Sequence, residues 1–273
     1  MFKRFLILVI VSCFLVVSVQ AAPPQRIVSG MPSVTEMLFA LGLEDRIVGA
    51  TTNCNYPPQA LDKEKVGGFF LNLEKVVSLK PDLVIMVESA QKRDIEKFKE
   101  FGLPVYTVDP NSVIEVMDTL VELGEATGTR EKAEELVRGM KAKIISVEVG
   151  IKDLPLKKVL VVVGYKPLIV AGSNNFIDDV LRYAGAENIA ADTQAAYPQY
   201  SFEKLLEANP DYIIIPEGVM GRKEIEKESR WQSLDAVKND RILFINADIL
   251  SRPGPRVVEA IKEIAEFIHE KKI

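Results

Sequence analysis

The sequence predicts an α/β protein of two α/β lobes with mainly parallel sheets, joined by one long helix. Two internal echoes and one alternation predict it. NLEKVVSLKPDLVIMVE, starting at Asn72, returns as SFEKLLEANPDYIIIPE, starting at Ser201, so that Glu74 falls on Glu203, Pro81 on Pro210, Asp82 on Asp211 and Glu88 on Glu217, 129 residues apart. In the same order, IVSGMPSVTEMLFALGLEDRIVGAT from Ile27 matches IVAGSNNFIDDVLRYAGAENIAADT from Ile169. Periods this long exclude a solenoid and point to two related lobes. Within each lobe short apolar runs alternate with helical patterns, which is the signature of a parallel sheet covered by helices.

The elements follow in chain order. In the first lobe, strands are expected at Ile27 to Ser29, Ile47 to Ala50, Leu83 to Met86 and Val105 to Val108. Ser33 and Glu36 read as an S-x-x-E capping box at the head of a helix from Val34 to Leu41, which Gly42 closes. From Arg130 to about Val149 the chain is strongly helical, with Ala133, Leu136, Val137, Met140, Ile144 and Ile145 spaced for one apolar face. At 1.5 Å per residue that helix spans roughly 30 Å, enough to run from one lobe to the other. The second lobe repeats the pattern with strands at Val159 to Val163, Ile169 to Ala171, Tyr212 to Ile215 and Ile242 to Ile245, and a helix from about Phe176 to Tyr183. The partition expected is a signal at residues 1–21, an N-terminal lobe at 22–128, a backbone helix at 129–151 and a C-terminal lobe at 152–273.

The N-terminus reads as an export signal. Lys3 and Arg4 precede an apolar stretch from Phe5 to Val17, and small residues end at Ala21 and Ala22. Cleavage after Ala21 is the preferred site; IVSC ending at Cys13 also resembles a short lipobox, which would instead leave a lipid-anchored Cys13. No later run reaches the ~18 consecutive apolar residues of a membrane span. Loss of Lys3 and Arg4 takes the net charge from −5 to −7, and loss of Cys13 leaves Cys54 as the single cysteine, without a disulfide partner. Basic residues are scattered among acidic ones, so nucleic-acid binding has no electrostatic footprint.

MPSVTEMLFALG, the NYPPQA at Asn55, the NLEKVVSLKPDLVI motif and the late RPGPR at Arg252 resemble the cobalamin-binding and iron-siderophore-binding class of ABC-transporter substrate-binding proteins, over essentially the whole mature chain. The resemblance implies the class III periplasmic binding protein fold of helical-backbone type, a ligand held between the lobes, and delivery to an ABC permease of dimeric transmembrane subunits with ATPase subunits. It implies no cofactor beyond the transported ligand, a corrinoid or a ferric siderophore. It also implies that Glu74 and Glu203 dock against the permease; a symmetric pair of charges suits a two-fold symmetric partner. Helix-dipole stabilisation of two acidic residues near helix N-termini is the plainer alternative.

Carried across position by position, Phe69 and Tyr197 keep the aromatic character of the family's cleft, where flat rings gain most from stacking. Asn53 stands where Tyr is frequent, Val87 where Trp is, and Ile169 where Phe is, while Tyr56, Phe70 and Tyr165 are candidates to compensate. Asp248 and Arg252, after the last strand, are the candidate polar contacts, and Arg252 would suit a carboxylate or phosphate. Tyr197 and Tyr200 lack the further ligands that bare ferric iron needs. His269, the single histidine, reads as solvated, which argues against a histidine-rich metal site or a catalytic triad. Two other functions stay open: an exported hydrolase using Glu36, Glu88 or Asp248 in acid-base work, and a ligand sensor without a transport role.

Overall fold

The structure, a computed structural model, describes residues 22–273; the signal segment and Cys13 lie outside the described residues. The N-terminal lobe is built from β1 (Ile27–Ser29), α1 (Pro32–Ala40), β2 (Ile47–Ala50), α2 (Leu73–Ser78), β3 (Leu83–Val87), α3 (Glu88–Glu100), β4 (Val105–Val108) and α4 (Val113–Thr127). Its strands lie in the order β2-β1-β3-β4, all parallel, with Ile27 beside Ile47 and Leu83. α5 (Arg130–Ile151) leads to β5 (Lys157–Gly164), β6 (Ile169–Val170), α6 (Phe176–Tyr183), β7 (Ala186–Asn188), α7 (Phe202–Ala208) and β8 (Tyr212–Pro216). Three short helices, α8 (Arg222–Lys227), α9 (Ser229–Gln232) and α10 (Asp235–Lys238), precede β9 (Ile242–Ile245), α11 (Ala247–Ser251) and α12 (Val257–Ile268).

The second sheet runs β7-β5-β8-β9 in parallel, the same order as the first, and β6 folds back antiparallel on the second half of β5. The match of Ile27 with Ile169 therefore does not equate strands. It sets a central parallel strand on the return arm of a hairpin, and the true counterpart of β1 is β5. The other echo holds element for element. Asp82 accepts backbone N–H bonds from Gln25 and Arg26, both at 2.8 Å, and Asp211 accepts one from Lys158 at 2.9 Å. Each Pro-Asp turn thus fastens the start of an inner strand to its neighbour, which is why the dipeptide recurs.

Alternation along the strands divides the interior into layers. Ile27 and Ile85 face one core while Val28, Val84 and Met86 face another. Likewise Val159, Val161 and Ile214 face the first core and Leu160, Val162, Ile213 and Ile215 a third. That first core is shared by both lobes. α5 supplies Ala133, Val137, Met140, Ile144, Val147 and Ile151 to it, packed between α4 and α12. Ile145, expected on this face, is instead 56% exposed, because the stripe rotates toward Val147 and Ile151 as α12 takes over from α4.

Candidate functional site

Both sheets end toward the space between the lobes, and the carboxyl ends of parallel strands are where open α/β sheets bind ligands. The first turn after β1 shows how the floor of this space is made. Pro32 sits at the first helical position, so α1 begins earlier than the expected Val34, with Met31 as its N-cap and no side-chain cap. Ser33 and Glu36 therefore do not form a capping box. Glu36 lies one turn inside the helix and only 3% exposed, where it reaches across to the other lobe.

There it holds two arginines. Arg256 donates to both carboxylate oxygens at 2.7 and 2.8 Å, and Arg252 donates to one at 2.9 Å. Arg252 also donates to the Asn55 side chain at 2.7 Å and pairs with Asp248 at 2.7 Å, while Asn55 donates to Asp248 at 3.0 Å. Two carboxylates and two guanidinium groups thus form one neutral, mostly desolvated cluster spanning the lobes. The Arg256 guanidinium is held above its ordinary pKa, chiefly by its hydrogen bonds to Glu36. It also stacks on Tyr56, 3.7 Å from the ring centroid.

The candidate ligand residues are placed as follows. Phe69 and Phe70 stand on a turn bridged by Gly67 and Leu71, 50% and 67% exposed, with their rings edge to face at 5.2 Å. Gly67 has φ 130°, and a Cβ there would lie 2.4 Å from the Phe70 carbonyl oxygen, so the turn requires glycine. Tyr197 is 53% exposed on the other lobe, and burial around its hydroxyl pushes its phenol above the ordinary range. Asn53 is exposed, and its carbonyl lies 3.5 Å from Arg252. Ile169 is half-buried on β6.

Two of the aromatic candidates line pockets of their own. Tyr56 lines a pocket of about 400 Å³ between α1, α5 and α12, behind the charge cluster. Tyr165 donates to Glu228 at 2.8 Å and lines a pocket of about 360 Å³ with Phe202 and Trp231. Tyr200 is buried, which removes it from any metal-binding role in the cleft. His269 is not solvated: its Nε2 lies 3.2 Å from the Ala184 carbonyl and its Nδ1 is buried without a partner. Among the described residues no cluster of three His, Cys, Asp or Glu side chains could hold a metal ion.

Glu74 and Glu203 occupy matching places, each in the first turn of a short helix whose N-cap, Asn72 or Ser201, accepts the backbone N–H of the residue three further on. The neighbouring Lys75 and Lys204 pair with Glu64 and Asp192 of their own lobes, which leaves the two glutamates exposed and without an ion pair among the described residues. Sequence reasoning missed Asn55 and Arg256 as site residues, and read Glu36 as a helix cap or a catalytic carboxylate rather than as the partner of two arginines. The available signal was the place of Glu36 among Val34, Met37 and Leu38, an apolar stretch in which an acidic residue needs a buried partner.

The family described as "Periplasmic binding protein" matches residues 27–249. An uncharacterized ABC transporter substrate-binding lipoprotein of Bacillus subtilis, YvrC, is 39% identical over 254 residues, covering 90% of this chain and 80% of the relative. The crystal structure of the periplasmic vitamin B12 binding protein BtuF of Vibrio cholerae superimposes with a TM-score of 0.80 at 28% identity, covering 91% of this chain and 98% of the other. The periplasmic heme-binding protein RhuT of Roseiflexus, in apo form, does so with a TM-score of 0.81 at 26% identity, covering 90% and 98%.

Proposed function

The chain belongs to the periplasmic binding protein family, and on that premise we propose that it captures a corrinoid between its lobes and delivers it to an ABC permease. It is a substrate-binding protein of the type that includes the vitamin B12 and heme binders just compared. One observation carries the finer choice of cargo. Phe69, Phe70 and Tyr197 offer exposed aromatic faces on the two lobes, yet Arg252, the cation among the expected cleft residues, is taken by Glu36 and Asp248. A large flat ring gains from the first feature. A ligand recognised through its own carboxylates gains nothing from the second. Corrinoids bear neutral amides at the ring edge, whereas haem bears carboxylates and many ferric siderophores are anionic, so the corrinoid fits best.

Two of the three carboxylates considered for catalysis, Glu36 and Asp248, are held in the cluster, which supports binding over hydrolysis, while Glu88 is exposed as the first residue of α3. Export with removal of residues 1–21, or lipidation at Cys13, belongs to the same reading and is separated by the mass of the secreted protein. Glu74 and Glu203 are the proposed docking charges. Their reversal to Lys should abolish uptake while leaving ligand affinity unchanged; uptake at the wild-type rate would remove them from the interface.

Titration of the mature protein with cobalamin, cobinamide, haem and several ferric siderophores tests the cargo. A ligand at 100 times its Kd should stabilise the fold by about 2.7 kcal/mol. Tighter binding of corrinoids than of haem or the ferric siderophores is the expected result; haem or a siderophore bound more tightly than every corrinoid would overturn it.

A further inference from the structure

Burying four charged side chains is costly, and an apolar cluster of the same size packs at least as well, so such a group is weak evidence for stability alone. Its position gives it another consequence. Arg252 stands at the floor of the interlobe space, 16% exposed, and Arg256 directly behind it, 13% exposed. Asp248 faces Arg252 from the same helical turn, 30% exposed, and Asn55 bridges the two from the other lobe. The charges are two positive and two negative. Glu36 is the more deeply buried of the two carboxylates and the one that touches both arginines.

We propose that Glu36 sets the charge selectivity of the cleft: by holding Arg252 and Arg256 in a neutral cluster it withholds both guanidinium groups from the ligand, so that ligands without carboxylates are favoured over carboxylate-bearing ones. This rests on the reading of the interlobe space as the ligand site. Arg252 is then not a ligand contact but a group kept from becoming one. Neutralising Glu36 leaves the cluster with one excess positive charge beside the cleft, the arrangement that recruits carboxylates. Removing Arg256 as well restores neutrality, and removing Arg256 alone leaves one excess negative charge.

The test compares the mature wild type with Glu36→Gln, Arg256→Gln and the double variant. Each is titrated with citrate at constant ionic strength, read by melting temperature, and with haem and cobalamin, read by fluorescence quenching. Glu36→Gln should gain a saturable citrate response and shift the haem-to-cobalamin affinity ratio toward haem by about tenfold. The double variant should return to the wild-type ratio and lose the citrate response. Arg256→Gln should shift the ratio away from haem, so the opposite sign remains measurable if Glu36→Gln does not fold. A folded Glu36→Gln without a citrate response overturns the proposal, as does a double variant that behaves like the single one, or an unchanged ratio in Arg256→Gln. If the wild type binds neither haem nor cobalamin, the corrinoid reading falls, and the citrate series alone decides the role of Glu36.

Discussion

Replacing Asp82 or Asp211 by Ala removes the carboxylate that ties an inner strand to the start of its neighbour, and each change should cost about 1 kcal/mol in urea unfolding. The loss at Asp82, which accepts two backbone N–H bonds, should exceed that at Asp211, which accepts one, although Lys80 and Asn209 stand alike at positive φ just before each Pro-Asp pair. At this scale the sequence was legible where a residue acts on its near neighbours. The prolines that follow α2 and α7, Pro81 and Pro210, lie within a few positions of the helices they close. Glu36 is the opposite case. Its partners, Arg252 and Arg256, lie 216 and 220 residues away, and a local motif for capping competed with a long-range contact that no spacing reveals. The aromatic candidates show the same limit, since nothing in their composition distinguishes Phe69, which is exposed, from Tyr200, which is buried.

Helix α5 carries a contrast between two glycines near it. Gly139 on α5 has nothing within 4 Å of a built Cβ, whereas Gly124 on α4 would bring a Cβ to 2.6 Å from the Cβ of Ala133 on α5. Gly139→Ala should therefore stabilise the protein by up to about 1 kcal/mol, the helix-propensity difference, as measured by thermal unfolding. Gly124→Ala should destabilise it, because the two helices approach through that gap. At the end of α12, burial lowers the pKa of His269 below its ordinary value. The folded state therefore binds fewer protons than the unfolded one. The stability this confers is present above about pH 6.5 and is lost as the pH falls through the lowered folded value. Urea unfolding between pH 8 and 5 should show that loss, and His269→Gln should remove it. Of the elements themselves, the strands were legible from their apolar runs and α5 from its spacing. The hairpin arm β6 was not, because an edge strand returning on its neighbour and a central parallel strand share the same residue types.

The two lobes share one apolar core running along α5, so the molecule should unfold as a unit although its sequence reads as two halves. Calorimetry should give a van't Hoff enthalpy equal to the calorimetric one; a ratio well below one would mean that the lobes melt separately. Domain duplication was legible at this scale, through the recurrence of α2 and β3 in α7 and β8, whereas the fusion of the two interiors was not, since it depends on which faces of α4, α5 and α12 meet. The placement of the charges carries one last consequence. The cluster joining the lobes is shielded from the solvent and its counterions, while Glu74 and Glu203 stand in full contact with them. At 1 M salt, where the Debye length falls to about 3 Å, the exposed carboxylates lose their reach and the buried cluster keeps its own. On the proposed docking role of Glu74 and Glu203, added electrolyte should therefore uncouple the protein from an ABC permease at concentrations that leave the charge selectivity of its cleft intact, so that docking and ligand choice can be studied apart without changing a single residue.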